Sequence, residues 1–235
     1  MNLPRLRIVF LALLCTSVCR ADTDPAVQAL EKGDTNSKRG DFDRAIVDYS
    51  AAIKINPALS KAYRGRGWAY LRKKEIDKAL GDFNDAIRTD PKDASVYIIR
   101  GIVLGNKGDL DRSIADFEEA IRINPKDEMP YFDRGLAYEK KGDFEKAISD
   151  YSEAIRLDSK NDEAYFRRGV AYGREGKLDN VIADCTAAIK INPQHARALH
   201  FRGLAYSRLG EQAKADDDLH EAEKLGFKPS KKEAR

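Results

Sequence analysis

The chain of 235 residues carries 42 Lys and Arg against 39 Asp and Glu, a formal net charge of +3. Arg5, Arg7 and Arg20 fall in an acid-free stretch of the first 21 residues, and without them the two signs balance at 39 each. A balanced surface argues against a nucleic-acid partner, whose binding rests on an excess of basic side chains. Three cysteines are too few for a disulfide scaffold.

The first segment stands apart. Arg5 and Arg7 precede an apolar run from Ile8 to Cys19, and Cys19-Arg20-Ala21 places small residues at the two positions a signal peptidase reads. The run is shorter than the ~20 residues a bilayer span requires. A secretory signal over 1–21, cleaved after Ala21, is expected. The mature chain is then periplasmic or secreted, has no stable membrane insertion and keeps only Cys185.

From residue 26 onward the chain repeats every 34 residues, six times. Asp48, Asp82, Asp116, Asp150, Asp184 and Asp218 mark the period, as do Gly33, Gly67, Gly101, Gly135, Gly169 and Gly203. A period of this size means stacked units that cannot bury their apolar faces alone. In the fourth unit, Tyr131, Arg134, Gly135 and Tyr138 follow helical spacing. Lys141-Gly142-Asp143 forms a turn, and Ala147, Ile148, Tyr151, Ala154 and Ile155 define the inner face of a second helix. Pro57, Pro91, Pro125 and Pro193 are expected to end second helices. Ser159 replaces proline in the fourth unit, where a softer junction is expected. Pro130 fits the first turn of a helix.

This pattern resembles the tetratricopeptide repeat. The second unit carries the motif as Tyr63, Gly67, Tyr70, Ala79, Phe83, Ala86 and Pro91. The resemblance covers 26–229 within a repeat domain over 22–229, as units 26–59, 60–93, 94–127, 128–161, 162–195 and 196–229, followed by a polar tail over 230–235. The first unit departs with Ala29 and Asn36, the fifth with Val181 and Cys185. The resemblance implies an all-α fold, a right-handed α-solenoid with a concave groove.

Gly135 and Ala154 let paired helices approach closely. Asp216 and Glu223 stand where other units place Ile or Leu, so the last unit is expected to show that face to water. Arg66, Arg100, Arg134, Arg168 and Arg202 sit eight residues before their turns and the recurrent Asp eight after. An Arg–Asp pair is expected in the second to sixth units, with Lys32 and Asp48 replacing it in the first.

Little else carries chemistry. His195, His200 and His220 lack a metal-ligand spacing. Cys185 occupies an inward position and reads as a small core residue. Gly65-Arg66-Gly67 lacks the rest of a phosphate loop. No enzyme activity, metal or cofactor is expected.

The resemblance implies that ligands contact unit positions 2, 5, 6, 9, 12 and 13. Position 5 carries Arg64, Ile98, Phe132, Phe166 and His200, and position 9 carries Trp68, Ile102, Leu136, Val170 and Leu204. Arg64 and Arg72 flank this apolar strip on one side, and Arg167, Arg174, Arg197 and Arg208 on the other. No unit has the Lys and Asn of the family's carboxylate clamp. An exposed apolar strip marks a partner site, so a scaffold holding a segment of a partner protein is expected. The alternatives are a small-molecule or glycan-binding protein stacking ligands on Trp68, Phe132 and Phe166, or a homo-oligomer gripping its own tail (Gly226 to Arg235).

Overall fold

A computed structural model describes residues 24–228; the expected signal segment and residues 229–235 of the tail lie outside the described residues. Six helical hairpins follow one another. They are α1 (Pro25–Lys38) with α2 (Phe42–Ile55), α3 (Ser60–Arg72) with α4 (Ile76–Thr89), and α5 (Ala94–Lys107) with α6 (Leu110–Ile123). The others are α7 (Met129–Lys141) with α8 (Phe144–Leu157), α9 (Asp162–Arg174) with α10 (Leu178–Ile191), and α11 (Ala196–Arg208) with α12 (Gln212–Lys224). No strand occurs among the described residues. Each second helix packs on its own first helix and on the next one, which makes the molecule an α-solenoid.

Short polar side chains set the helix ends. Asp41, Asp109 and Asp143 precede second helices and accept from the N–H three residues on, supplying donors that the first turn leaves unpaired. At the other end, Asn56, Asp90, Asn124, Asp158 and Asn192 take extended backbone and accept from the N–H two residues on. The junction after α8 therefore matches the others although Ser159 replaces proline. The Asp158 side chain makes the same turn.

The turn inside each hairpin needs a left-handed residue. Glycine fills it at positions 40, 108, 142, 176 and 210, with φ between 72° and 87°. The second hairpin places Lys74 there instead, at φ 64°. A side chain with a Cβ is strained in that region by about 1 kcal/mol.

Close helix approach holds each hairpin. A Cβ built on Gly33, Gly67, Gly101 or Gly135 would sit 2.6–2.8 Å from the ring of Tyr49, Phe83, Phe117 or Tyr151. These rings are almost wholly buried. In the fifth hairpin the aromatic is replaced by Cys185, and the nearest atoms to a Cβ on Gly169 are Asp184 Cβ at 3.3 Å and Cys185 Sγ at 3.5 Å.

The expected Arg–Asp pairs form in the second to sixth hairpins. In each, Arg Nε and Nη2 donate to the two carboxylate oxygens, as in Arg134–Asp150 at 2.9 and 2.7 Å. Nη1 reaches the preceding second helix, donating to Ser50, Asn84, Ser152 and Thr186 from Arg66, Arg100, Arg168 and Arg202. One guanidinium thus rivets two hairpins. The flat, forked group suits this and an ammonium does not. The first hairpin corrects the expectation: Lys32 is exposed, and Asn36 Nδ2 donates to Asp48 at 2.7 Å instead. No described residue packs in front of α1, so nothing draws a charged side chain inward there. At the other end Asp216 and Glu223 are exposed, whereas their Ile and Leu counterparts are half-buried or buried.

Two substitutions test this geometry. Gly135→Ala is expected to lower stability by about 1–3 kcal/mol through the clash with Tyr151, whereas Gly169→Ala leaves it unchanged or raises it, since helix interiors favour Ala over Gly by about 0.5–1 kcal/mol; thermal melts of the two proteins check this. Lys74→Gly removes the turn strain and is expected to raise Tm by about 2 °C.

Candidate functional site

The first helices line one face of the solenoid, with α5 against α7 and α9 against α11. On this face positions 5 and 9 part company. At position 9, Trp68 and Ile102 are 43% and 37% exposed, and Leu136, Val170 and Leu204 are half-buried. At position 5, Ile98, Phe166 and His200 are buried, and Arg64 and Phe132 are half-buried. The strip therefore has a floor and an exposed crest.

Phe166, Ile98 and His200 are corrected from exposed groove residues to floor. Phe166 is fully buried in one core cluster with Cys185. A cysteine leaves a ring-sized space at the position where other hairpins place an aromatic or Leu, and Phe166 fills it. Its ring meets those of His195 and Phe201 at 4.9 and 5.4 Å, and the Arg197 guanidinium lies over it at 4.4 Å. Phe132 faces Tyr151, which already occupies that space, and stays half-buried with ring centroids 5.7 Å apart. His200 stacks on Phe227 at 4.6 Å, so the start of the expected tail folds back on its own last hairpin.

The flanking arginines are not equivalent. Arg64 Nη1 donates to Asp93 at 2.6 Å and to Ser95 at 2.8 Å. Arg72 lies over the ring of Phe42. Arg167 bridges Glu139 and Glu163 at 3.5 and 2.7 Å, and Arg197 closes on Glu163 at 3.4 Å. The Tyr151 hydroxyl donates to Glu139, tying this network to the glycine-packed ring. Arg174 and Arg208, like Arg72, are exposed cations with no ion pair among the described residues.

Two carboxylates are shifted at this face. Burial pushes Glu163 upward, but its hydrogen bond to His195 and the Arg167 and Arg197 charges outweigh burial and hold it at about 2. Asp133, between Phe132 and Arg134, is raised to about 6 by burial and by repulsion from Asp127. Sequence reasoning missed both, because carboxylates are frequent along the chain and the surroundings of each come from more than one hairpin. Cys185 is fully buried, and burial pushes its thiol up to about 12, leaving it protonated and unreactive at neutral pH. Among the described residues no group of three His, Cys, Asp or Glu is placed to hold a metal, and no helix is long and apolar enough to cross a membrane.

An all-helical solenoid of stacked hairpins with an apolar crest along one face defines a helical-repeat protein. Tetratricopeptide-repeat profiles match residues 30–94, 106–142, 140–176 and 162–195, and the chain belongs to the tetratricopeptide-repeat family. No curated protein matches it closely enough in sequence to serve as a relative. Among solved structures it is similar to YrrB, described as a TPR protein with an unusual peptide-binding site, at 22% identity and TM-score 0.67 over 77% of this chain and 94% of that one. It is also similar to MamA (24%, TM-score 0.67, 74% and 94%) and to PilF of Pseudomonas aeruginosa (16%, TM-score 0.73, 86% and 91%). At these identities the likeness establishes the fold.

The Glu163 network carries a pH signature. A carboxylate held below its ordinary 4.5 stabilises the folded state fully above that value and loses its contribution as pH falls toward about 2. Glu163→Gln is expected to melt below the parent at pH 7, with the gap closing between pH 4.5 and 2; a gap constant across that window would show the network to be idle.

Proposed function

We propose that the protein is a scaffold that holds an extended or helical segment of a partner protein along its first-helix face. The observation that carries this is the position-9 crest. Trp68, Ile102, Leu136, Val170 and Leu204 form an apolar row across five hairpins that the fold leaves partly open, while apolar residues beneath are packed away. Such a row is costly in water unless something covers it. Arg174 and Arg208 supply free guanidinium groups at one end for acidic side chains of the partner. YrrB, of like fold, has a peptide-binding site by its description, which favours the same use here. The stacking-platform alternative loses ground, since Phe166 is sealed in the core. We further infer from residues 5–21 that the chain works outside the cytoplasm.

The test uses crest residues, because Phe166→Ala would empty the core. A photo-crosslinking residue placed at Ile102 is expected to capture a partner from envelope extract, and the same probe at Val47, 67% exposed on α2, is expected to capture none. Leu136→Ala with Val170→Ala should weaken that complex by about tenfold or more, as loss of two part-buried anchors implies. Equal capture from positions 102 and 47 would place the binding site elsewhere.

A further inference from the structure

Asp133 is a carboxylate that the fold desolvates and does not pair. On α7 it lines a cavity of about 60 Å³ between α5, α6 and α7, whose walls are apolar at Ile102, Leu110, Phe117 and Leu136 and polar at Asn106 and Ser113. No hydrogen bond or ion pair among the described residues reaches it. The cation at the same cavity, Lys140, donates from Nζ to Gly105 O at 3.4 Å. The charged groups facing Asp133 are Asp127 from the α6–α7 loop, which repels it, and Lys140 on its own helix; α5 and α6 contribute neutral side chains. Burying an unpaired carboxylate is unfavourable, and perturbed groups of this kind gather at functional sites.

We propose that Asp133 is the charge-reading subsite of the groove, accepting the ammonium of a lysine in the bound segment while the residues beside that lysine lie on Ile102 and Leu136. This rests on the groove reading above and adds the chemistry of its occupant. The size agrees: a cavity of about 60 Å³ has room for several waters and therefore for a side-chain cation. The cation would replace water at a carboxylate that is already half-buried, which lowers the carboxylate's share of the desolvation cost. The raised proton affinity of Asp133 adds a pH signature. A proton competes with the ammonium, so binding is strong above pH 7 and falls as pH drops through about 6.

The probe is a random nonapeptide phage library selected on the protein over residues 22–235, followed by affinity measurement with the synthetic consensus peptide. Lysine flanked by Leu or Ile is expected to be enriched. Asp133→Asn should weaken that peptide tenfold or more, abolish its pH dependence, and melt no earlier than the parent. Replacing the peptide's lysine by norleucine should cost as much on the parent and nothing on Asp133→Asn. Lys140→Met should leave the Asp133 carboxyl titration unchanged; a further rise in that variant would make Lys140 the true partner and overturn the proposal. Peptides weakened by Leu136→Ala but indifferent to Asp133→Asn would overturn the subsite and leave the groove standing. No selected peptides, or peptides indifferent to Leu136→Ala as well, would overturn both.

Discussion

The structure depends on how closely the two helices of a hairpin approach. A glycine on the first helix leaves space that a large buried side chain of the second fills, so the pair cannot slide or part without opening a cavity. The ring at this contact does more than pack. Tyr49 lies against Gly33 of its own hairpin and Gly65 of the next, and its hydroxyl donates to Asp34 at 2.8 Å. One side chain thus sets the spacing within a hairpin and the seating of the following one. The guanidinium rivets act beside this contact, each joining its own carboxylate to the helix before it. The glycine and the large side chain facing it within most hairpins leave the 34-residue period along the array.

Variation at this contact propagates into the groove. Where Tyr151 fills the space, Phe132 is kept partly open; where Cys185 leaves it empty, Phe166 drops in and vanishes from the surface. The groove is thus shaped by what stands behind it, and a substitution in a second helix changes which first-helix side chains a partner could touch. Charge is sorted in the same way. Toward the C-terminal end, Glu139, Arg167, Glu163 and Arg197 neutralise one another in a fixed chain spanning three hairpins. Near the middle, Asp133 lines a mostly apolar cavity without an ion pair of its own. A satisfied network stiffens a surface, whereas an unsatisfied group on the same surface is an opening for a ligand.

Most of the fold was legible in the chain. The 34-residue period placed the hairpins, helical spacing assigned the inner faces, and equal distance from the turn paired Arg134 with Asp150. The exceptions have local causes. Asn36 displaced Lys32 because the first hairpin has no described neighbour to hold a charge inward. Asp158 kept a junction that proline was expected to set, because the Asx turn is the common device and proline only accompanies it. Lys74 occupies a glycine position whose strain becomes apparent only once the backbone dihedral is known.

The candidate site was legible in outline and misread in detail. Positions 5 and 9 were singled out because they break the repeat, and both line the expected face. Which of them a partner could reach depends on side-chain volumes contributed by a second helix and by the next hairpin, far away in sequence. The isolation of Asp133 likewise follows from which cations its neighbours have already engaged. Sequence by itself determined the hairpins, their stacking and most of their rivets, since these contacts recur from repeat to repeat and leave a periodic trace. Only the tertiary structure decided what is floor, what is crest and which charge stays unpaired, because burial and pairing are properties of the neighbours brought together and leave no period to read.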